Sequence, residues 1–209
     1  VNIITKRDFK GAEFQFQYDI TDENDGAIYQ ASGLFGASSD RGNVVFGVDY
    51  TKREKIMQGD REFSACPLFE NADGSTYCGG SGTSYPGHFY SDTYPSHILV
   101  GTDIVPFVGA DHGFNYAKWS YMVTPQEVLS TYASGHYDLI QESPIGSVTA
   151  TGEFLWTNRQ SDQLMAAVGT FWGPLVPASN PGNPTGEPAY LTRRLFETGG
   201  RSSTQDAAS

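Results

Sequence analysis

Apolar and polar residues alternate strictly near the start of the chain. Ala12, Phe14, Phe16, Tyr18 and Ile20 interleave with Glu13, Gln15, Gln17 and Asp19. Successive side chains of an extended chain point to opposite faces, so this segment predicts a strand with one aromatic and one polar, partly charged face. Thr21-Asp-Glu-Asn-Asp-Gly26 reads as a turn. A second strand over 27–37 sets Tyr29, Ala31, Gly33 and Phe35 against Gln30, Ser32 and Leu34. After a tight turn at Ser39-Asp-Arg-Gly-Asn43, a third sets Val44, Phe46, Val48 and Tyr50 against Val45, Gly47, Asp49 and Thr51.

The period then disappears between about residues 55 and 126, a stretch of Gly, Pro, Ser, Tyr and Asp. A connection of that length is expected to carry structure of its own. It holds both cysteines and twelve aromatic residues. Alternation returns at Glu127, with Leu129, Thr131, Ala133, Gly135, Tyr137 and Leu139 on one side and Ser130, Tyr132, Ser134, His136 and Asp138 on the other. A short turn, Gln141-Glu-Ser-Pro-Ile-Gly146, leads to a fifth strand. There Val148, Ala150, Gly152, Phe154 and Trp156 oppose Thr149, Thr151, Glu153 and Thr157. A second long Pro/Gly/Asn-rich connection over about 160–190 precedes a sixth, less regular strand over about 191–206.

This layout predicts an all-β, antiparallel up-and-down meander of about six strands with two long loops. After the opening hairpin, short connections (39–43 and 141–146) alternate with long ones (55–126 and 160–190). Because successive strands reverse direction, the short turns fall at one end of the sheet and both long loops at the other. Outer-membrane barrels have this asymmetry, with short periplasmic turns and long external loops. The polar faces carry Glu13, Asp19, Asp49, Asp138 and Glu153, and the opposite faces carry no charge. A lipid-facing band must be apolar, whereas a wet lumen tolerates carboxylates. The alternative is a soluble antiparallel sandwich with its apolar face on a core and its polar face in water; the loop asymmetry favours the barrel.

Charge and composition narrow the function. The 209 residues carry 13 Lys and Arg against 24 Asp and Glu, a formal net charge of -11. That argues against a binder of nucleic-acid backbones, which needs a basic face. Aromatic residues make up 13%, too many for a disordered chain. No stretch reaches the roughly 18 uncharged apolar residues of a membrane helix, which does not bear on a β-barrel.

Cys66 and Cys78 stand in one polar loop, outside any CxxC pair, with no His at metal spacing to both. The first reading is a disulfide closing a small loop, which also implies a compartment outside the cytoplasm; the alternative is two free thiols. His88, His97, His112 and His136 show neither HxH nor HExxH spacing, so no metal site is assigned. Gly79-Gly-Ser-Gly82 lacks the strand-then-helix context of a phosphate loop, and no nucleophile elbow is present. No catalytic residue or cofactor is assigned. Tyr85, Phe89, Tyr90, Tyr94, Tyr116, Trp119 and Tyr121 are the candidate ligand contacts, since aromatic rings stack on sugar or chelate rings; the alternative is that they pack the loop's own core. Tyr18, Tyr29, Tyr50, Tyr137 and Trp156 are candidates for interfacial girdles.

Several segments resemble TonB-dependent outer-membrane receptors, in the family's order. Val1-Asn-Ile-Ile-Thr-Lys-Arg-Asp-Phe9 resembles the end of the plug leading into the first barrel strand. Ser39-Asp-Arg-Gly-Asn-Val-Val45 resembles the first periplasmic turn. Phe114-Asn-Tyr-Ala117, Thr124-Pro-Gln-Glu127 and Ala133-Ser-Gly-His-Tyr-Asp-Leu139 resemble the close of the second external loop and the next strand. Val176-Pro-Ala-Ser-Asn-Pro181, Arg193-Arg-Leu-Phe-Glu197 and Ser203-Thr-Gln-Asp206 resemble the third loop and its descending strand.

The resemblance implies a 22-stranded barrel around a plug, in the cell outer membrane. It would take up a siderophore, cobalamin or an oligosaccharide with energy from the TonB complex. Residues 1–8 are then the end of the plug and 9–209 the N-terminal portion of the barrel. The expected partners are outer-membrane lipid, the plug and remaining strands, the TonB complex through the region before residue 1, and a small-molecule ligand. Acidic composition in the 55–126 loop disfavours a strongly anionic chelate and favours a neutral ligand. The alternative function is a secreted β-sandwich module that binds glycans.

Overall fold

The computed structural model describes residues 9–144 and 146–209. The segment 1–8, expected to end a plug, lies outside the described residues. The chain is all-β, 54% strand and 8% helix. Three antiparallel neighbours open it: β1 (Gly11–Asp19), β2 (Ile28–Ser39) and β3 (Gly42–Arg53). A first excursion carries short strands: β4 (Ile56–Met57), β5 (Leu68–Glu70), β6 (Thr76–Cys78), β7 (His88–Tyr90), β8 (His97–Val100), β9 (Asp103–Pro106) and β10 (Tyr121–Val123). The chain returns in β11 (Gln126–Ile140) and β12 (Val148–Met165), leaves again through β13 (Leu175–Val176) and β14 (Ala189–Thr192), and ends in β15 (Arg201–Ala208).

The six long strands form one open sheet in the order β1-β2-β3-β11-β12-β15, the meander that alternation predicts. Among the described residues no barrel is closed, and β1 and β15 are the outermost strands of the sheet. Thr157 and Ser209 exchange both backbone hydrogen bonds at 3.0 Å, as an antiparallel pair does.

Two boundaries differ from the expectation. β12 continues to Met165, and β15 begins at Arg201, so the second excursion covers 166–200 rather than 160–190. The polar run Asn158-Arg-Gln-Ser-Asp-Gln163 offers little apolar contrast, yet it stays extended because β11 pairs with it through Ser161. Leu191 and Thr192, where the sixth strand was expected to begin, belong to β14 in a different sheet.

Register places whole rows of side chains level. On one face Phe14, Gly33, Val48, Thr131 and Trp156 share a row, and Ala12, Phe35, Phe46, Ala133 and Phe154 share the next. Tyr18, Tyr29, Lys52 and Glu127 form a row at one end of this face, with the Tyr18 and Tyr29 rings 5.1 Å apart. Tyr137 stands in the row of Gly42 near the other end. Trp156 therefore sits mid-band rather than with the girdle candidates. The face is uncovered: Phe16 is 79% exposed, and Phe14, Phe46 and Phe154 are also exposed. The opposite face sets Gln15, Ser32, Asp49, Ser130 and Thr157 in one row and Ser134 and Glu153 in another, around a small apolar group of Leu34, Tyr132 and Leu155.

The chain enters β1 across this polar face. Asn43 donates from its amide nitrogen to the carbonyls of Phe9 (3.0 Å) and Ala37 (3.1 Å) and to the Ser38 hydroxyl (2.7 Å). Phe9 lies so close over Gly36 that any Cβ there would strike its carbonyl. Val45, the register partner of Gly36, is 1% exposed. At the short-turn end Arg41 donates to the carbonyls of Asp138 and Leu139 at 2.8 Å, tying one hairpin to the next.

The described chain divides into two compact units. One is the meander, residues 9–55, 124–162 and 204–209; the other is built from both excursions, residues 56–123 and 163–203. In the second unit β13, β14, β7, β8 and β9 form an antiparallel sheet in that order. Tyr190, Leu191 and Thr192 of the second excursion pair with Tyr90, Phe89 and His88 of the first. A small core of Phe89, Ile98, Ala117, Ala166, Ala167 and Ala189 fills it.

Candidate functional site

The second unit carries the chemistry. The Cys66–Cys78 disulfide, with Cα atoms 5.6 Å apart, closes the β5–β6 hairpin. It ties the base of a surface loop whose turn is set by Asp73, which accepts from the backbone N–H (2.9 Å) and hydroxyl (2.6 Å) of Ser75. Those bonds hold the Asp73 carboxyl below its usual range. Gly80 of the Gly-rich stretch packs against the backbone of Gly113 and Phe114, where a Cβ would meet atoms 2.6–2.8 Å away. Ser81 and Phe114 exchange backbone hydrogen bonds at 3.0 Å, so these glycines serve close chain packing.

His88 and His112 are held by hydrogen bonds to their surroundings. His88 is buried and stacks on Phe107 at 3.8 Å, with the rings 8° from parallel. Its Nδ1–H donates to the Gly82 carbonyl (2.9 Å), and its Nε2 accepts from the Ser96 hydroxyl (3.0 Å). Burial pushes its pKa down, favouring this neutral form. His112 accepts the Val108 N–H on Nδ1 at 2.9 Å, which leaves Nε2–H as its donor. His97 faces the Tyr94 ring, and His136 lies in the meander. Among the described residues no group of three or more His, Cys, Asp or Glu is arranged to hold a metal ion.

Arg194 is buried with its guanidinium between Phe114 (4.7 Å) and Phe171 (5.0 Å). It donates to the carbonyls of Thr83 (3.3 Å) and Ala167 (2.8 Å), fastening one excursion to the other. Desolvation lowers its pKa, with Arg201 adding to the effect. The planar, delocalised guanidinium suits a slot between two ring faces better than an ammonium does.

The seven aromatic candidates separate. Phe89 is 5% exposed and belongs to the core, which removes it as a ligand contact. Tyr90 stacks near His88 with its hydroxyl 3.0 Å from Nδ1, Tyr94 packs on His97, and Tyr121 pairs with Met57. Tyr116 is exposed in the turn leading to Trp119. Tyr85 and Trp119 come together through a residue that alternation did not single out. Phe196 lies 5.0 Å from Trp119, perpendicular to it, and 6.0 Å from Tyr85.

Tyr85, Trp119 and Phe196 are 52%, 37% and 42% exposed, an open aromatic shelf. Arg193 holds its guanidinium 5.3 Å from the Tyr85 ring centre and pairs through two nitrogens with both carboxylate oxygens of Glu197. That hydrogen bonding lowers the Glu197 pKa and raises that of Arg193, so the pair stays ionised and self-neutralised. Beside the shelf a cleft of about 490 Å³ is lined by Tyr85, Phe114, Asp111, His112 and Asn115. Phe196 was not among the candidate ligand contacts, because Arg193-Arg-Leu-Phe-Glu197 has no period and stands outside the aromatic-rich first loop; Gly199 ends the short turn there. No family profile, curated protein or solved structure matches this chain.

Proposed function

We propose that the chain is the entry and first strands of a TonB-dependent outer-membrane receptor, which takes up a scarce nutrient with energy delivered through the region before residue 1. The uncovered apolar face of the meander carries this reading. A soluble sandwich buries its apolar face on a second layer, whereas Phe14, Phe16, Phe46 and Phe154 stand in the open.

The dimensions agree with a bilayer. The Tyr18–Tyr29 row is level with Lys52 and the Tyr137 row with Gly42, ten residues apart along β3. Ten residues rise about 34 Å. At the strand tilt of such barrels this gives roughly 24–28 Å of height, against an apolar band of about 25 Å. The face bearing Glu13, Asp49 and Glu153 becomes the lumen. Phe9 lies over that face, where the plug of such a barrel would sit. The outer edges of β1 and β15 are positions where further strands would pair.

Spin labels at Phe16→Cys and Phe46→Cys, compared with Gln15→Cys and Asp49→Cys, test this in outer-membrane preparations. The expected result is high collision with oxygen and low collision with a water-soluble nickel chelate at 16 and 46, and the reverse at 15 and 49. Nickel-accessible labels at all four sites would sink the membrane reading. A flanking reading frame without plug or further strands would do the same.

A further inference from the structure

We propose that Tyr85, Trp119 and Phe196, with the Arg193–Glu197 pair at their margin, form a stacking shelf for the rings of a neutral oligosaccharide. The proposal rests on the receptor reading, in that it names the class of ligand taken by the unit the two excursions build.

Three aromatic rings converge on one exposed spot. Exposed rings scattered singly need no explanation, but Phe196 touches both Tyr85 and Trp119 and remains open. The rings are braced before any ligand arrives, since Trp119 meets Phe196 at 90° and Phe114 meets it at 74°. Aromatic side chains give large amphipathic contact with few rotors to freeze, and bracing lowers the entropy lost on binding.

The polar groups beside them suit hydroxyls rather than charge. Arg193 offers a planar fork of donors and Glu197 a pair of acceptor oxygens. Because each neutralises the other, the pair projects little net field. The cleft that continues past Tyr85 and Phe114 falls in the size range of small-molecule sites. There the Asp111 carboxylate can accept, and the His112 ring, fixed with its proton on Nε2, can donate. Vicinal sugar hydroxyls need that mixture of donors and acceptors.

Anionic chelates fit poorly. Arg194 is buried and Arg193 is paired with Glu197, which leaves Arg61, Arg201 and Lys118, the last exposed beside Trp119, as the other cations of this unit. Acidic side chains outnumber basic ones in this unit.

The test titrates the full chain, disulfide intact, with maltohexaose, mannohexaose and xylohexaose, and with ferric citrate as the anionic probe, by calorimetry. At least one hexasaccharide is expected to bind. Trp119→Ala and Tyr85→Ala are expected to weaken it roughly tenfold or more, as the loss of an aromatic stacking partner would. Tyr85→Phe, which keeps the ring, should restore most of the affinity. Unchanged thermal unfolding in these variants separates lost binding from lost folding. No binding of any hexasaccharide overturns the proposal. So does ferric citrate binding as tightly as the sugars, or sugar binding indifferent to both alanine variants. Sugar binding by a protein whose labels at 16 and 46 are water-accessible would overturn the receptor reading instead, and lipid-exposed labels without sugar binding would overturn only the shelf.

Discussion

His88 shows what burial does to one titratable side chain. It is held neutral between Phe107 and Tyr90, with both ring nitrogens bonded. Its pKa is depressed from 6.5, mainly by desolvation. A depressed pKa means that the unfolded chain binds the proton more readily. The contribution to stability is therefore fully present above the unfolded value of 6.5 and is lost as the pH falls below it. The depressed carboxyls Glu197 and Glu187, with an ordinary value of 4.5, act by the same sign only at lower pH. The denaturation midpoint should thus fall between pH about 7 and about 5.5 in the native protein, and His88→Gln should lose much of that slope. A slope unchanged in the variant would place its origin elsewhere. Arg194 is the complementary case, a cation kept inside by two ring faces and two carbonyls rather than by a carboxylate.

At the scale of elements, the long strands show how one face is told from the other. Phe16 and Gln15 are adjacent in β1, both exposed, and opposite in face. If the aromatic face meets lipid, Phe16→Arg should cost roughly 2–4 kcal/mol when it lies near the midplane, and Gln15→Arg far less. Unfolding of the receptor from vesicles by denaturant measures both, and equal costs would favour a soluble sheet. The short strands follow a different rule. β7, β8 and β14 have three or four residues each, too few for a period to declare a face. Their partners are set by which backbone groups must be satisfied as Phe89 and Ile98 become buried.

On the scale of the whole molecule, two stretches separated by the β11–β12 hairpin build one unit. Leu191 pairs with Phe89, and Arg194 reaches Thr83 across more than a hundred residues of sequence. Deleting residues 170–198 should therefore unravel the first excursion as well, although the disulfide and its hairpin stay intact. Limited proteolysis is expected to cut the deleted protein between residues 79 and 120 while β1–β3 resist. Protection of that stretch in the deletion protein would show that the first excursion folds alone.

Alternation by itself determined the meander, because period two is a property of the strand and each of Phe14, Phe16, Val44, Phe46 and Phe154 declares its face without knowing its neighbour. The short turns expected at 39–43 and 141–146, the presence of two long excursions and the pairing of the two cysteines were legible for similarly local reasons. Tertiary structure alone decided the rest. It extended β12 through a polar run by pairing it with β11, gave Ala189–Thr192 to a second sheet, buried Phe89, and set Phe196 between Tyr85 and Trp119. Those outcomes depend on contacts between segments far apart in the chain. A ring that packs a core and a ring that forms a shelf look alike in sequence, and only the partners brought to them by the fold make them different.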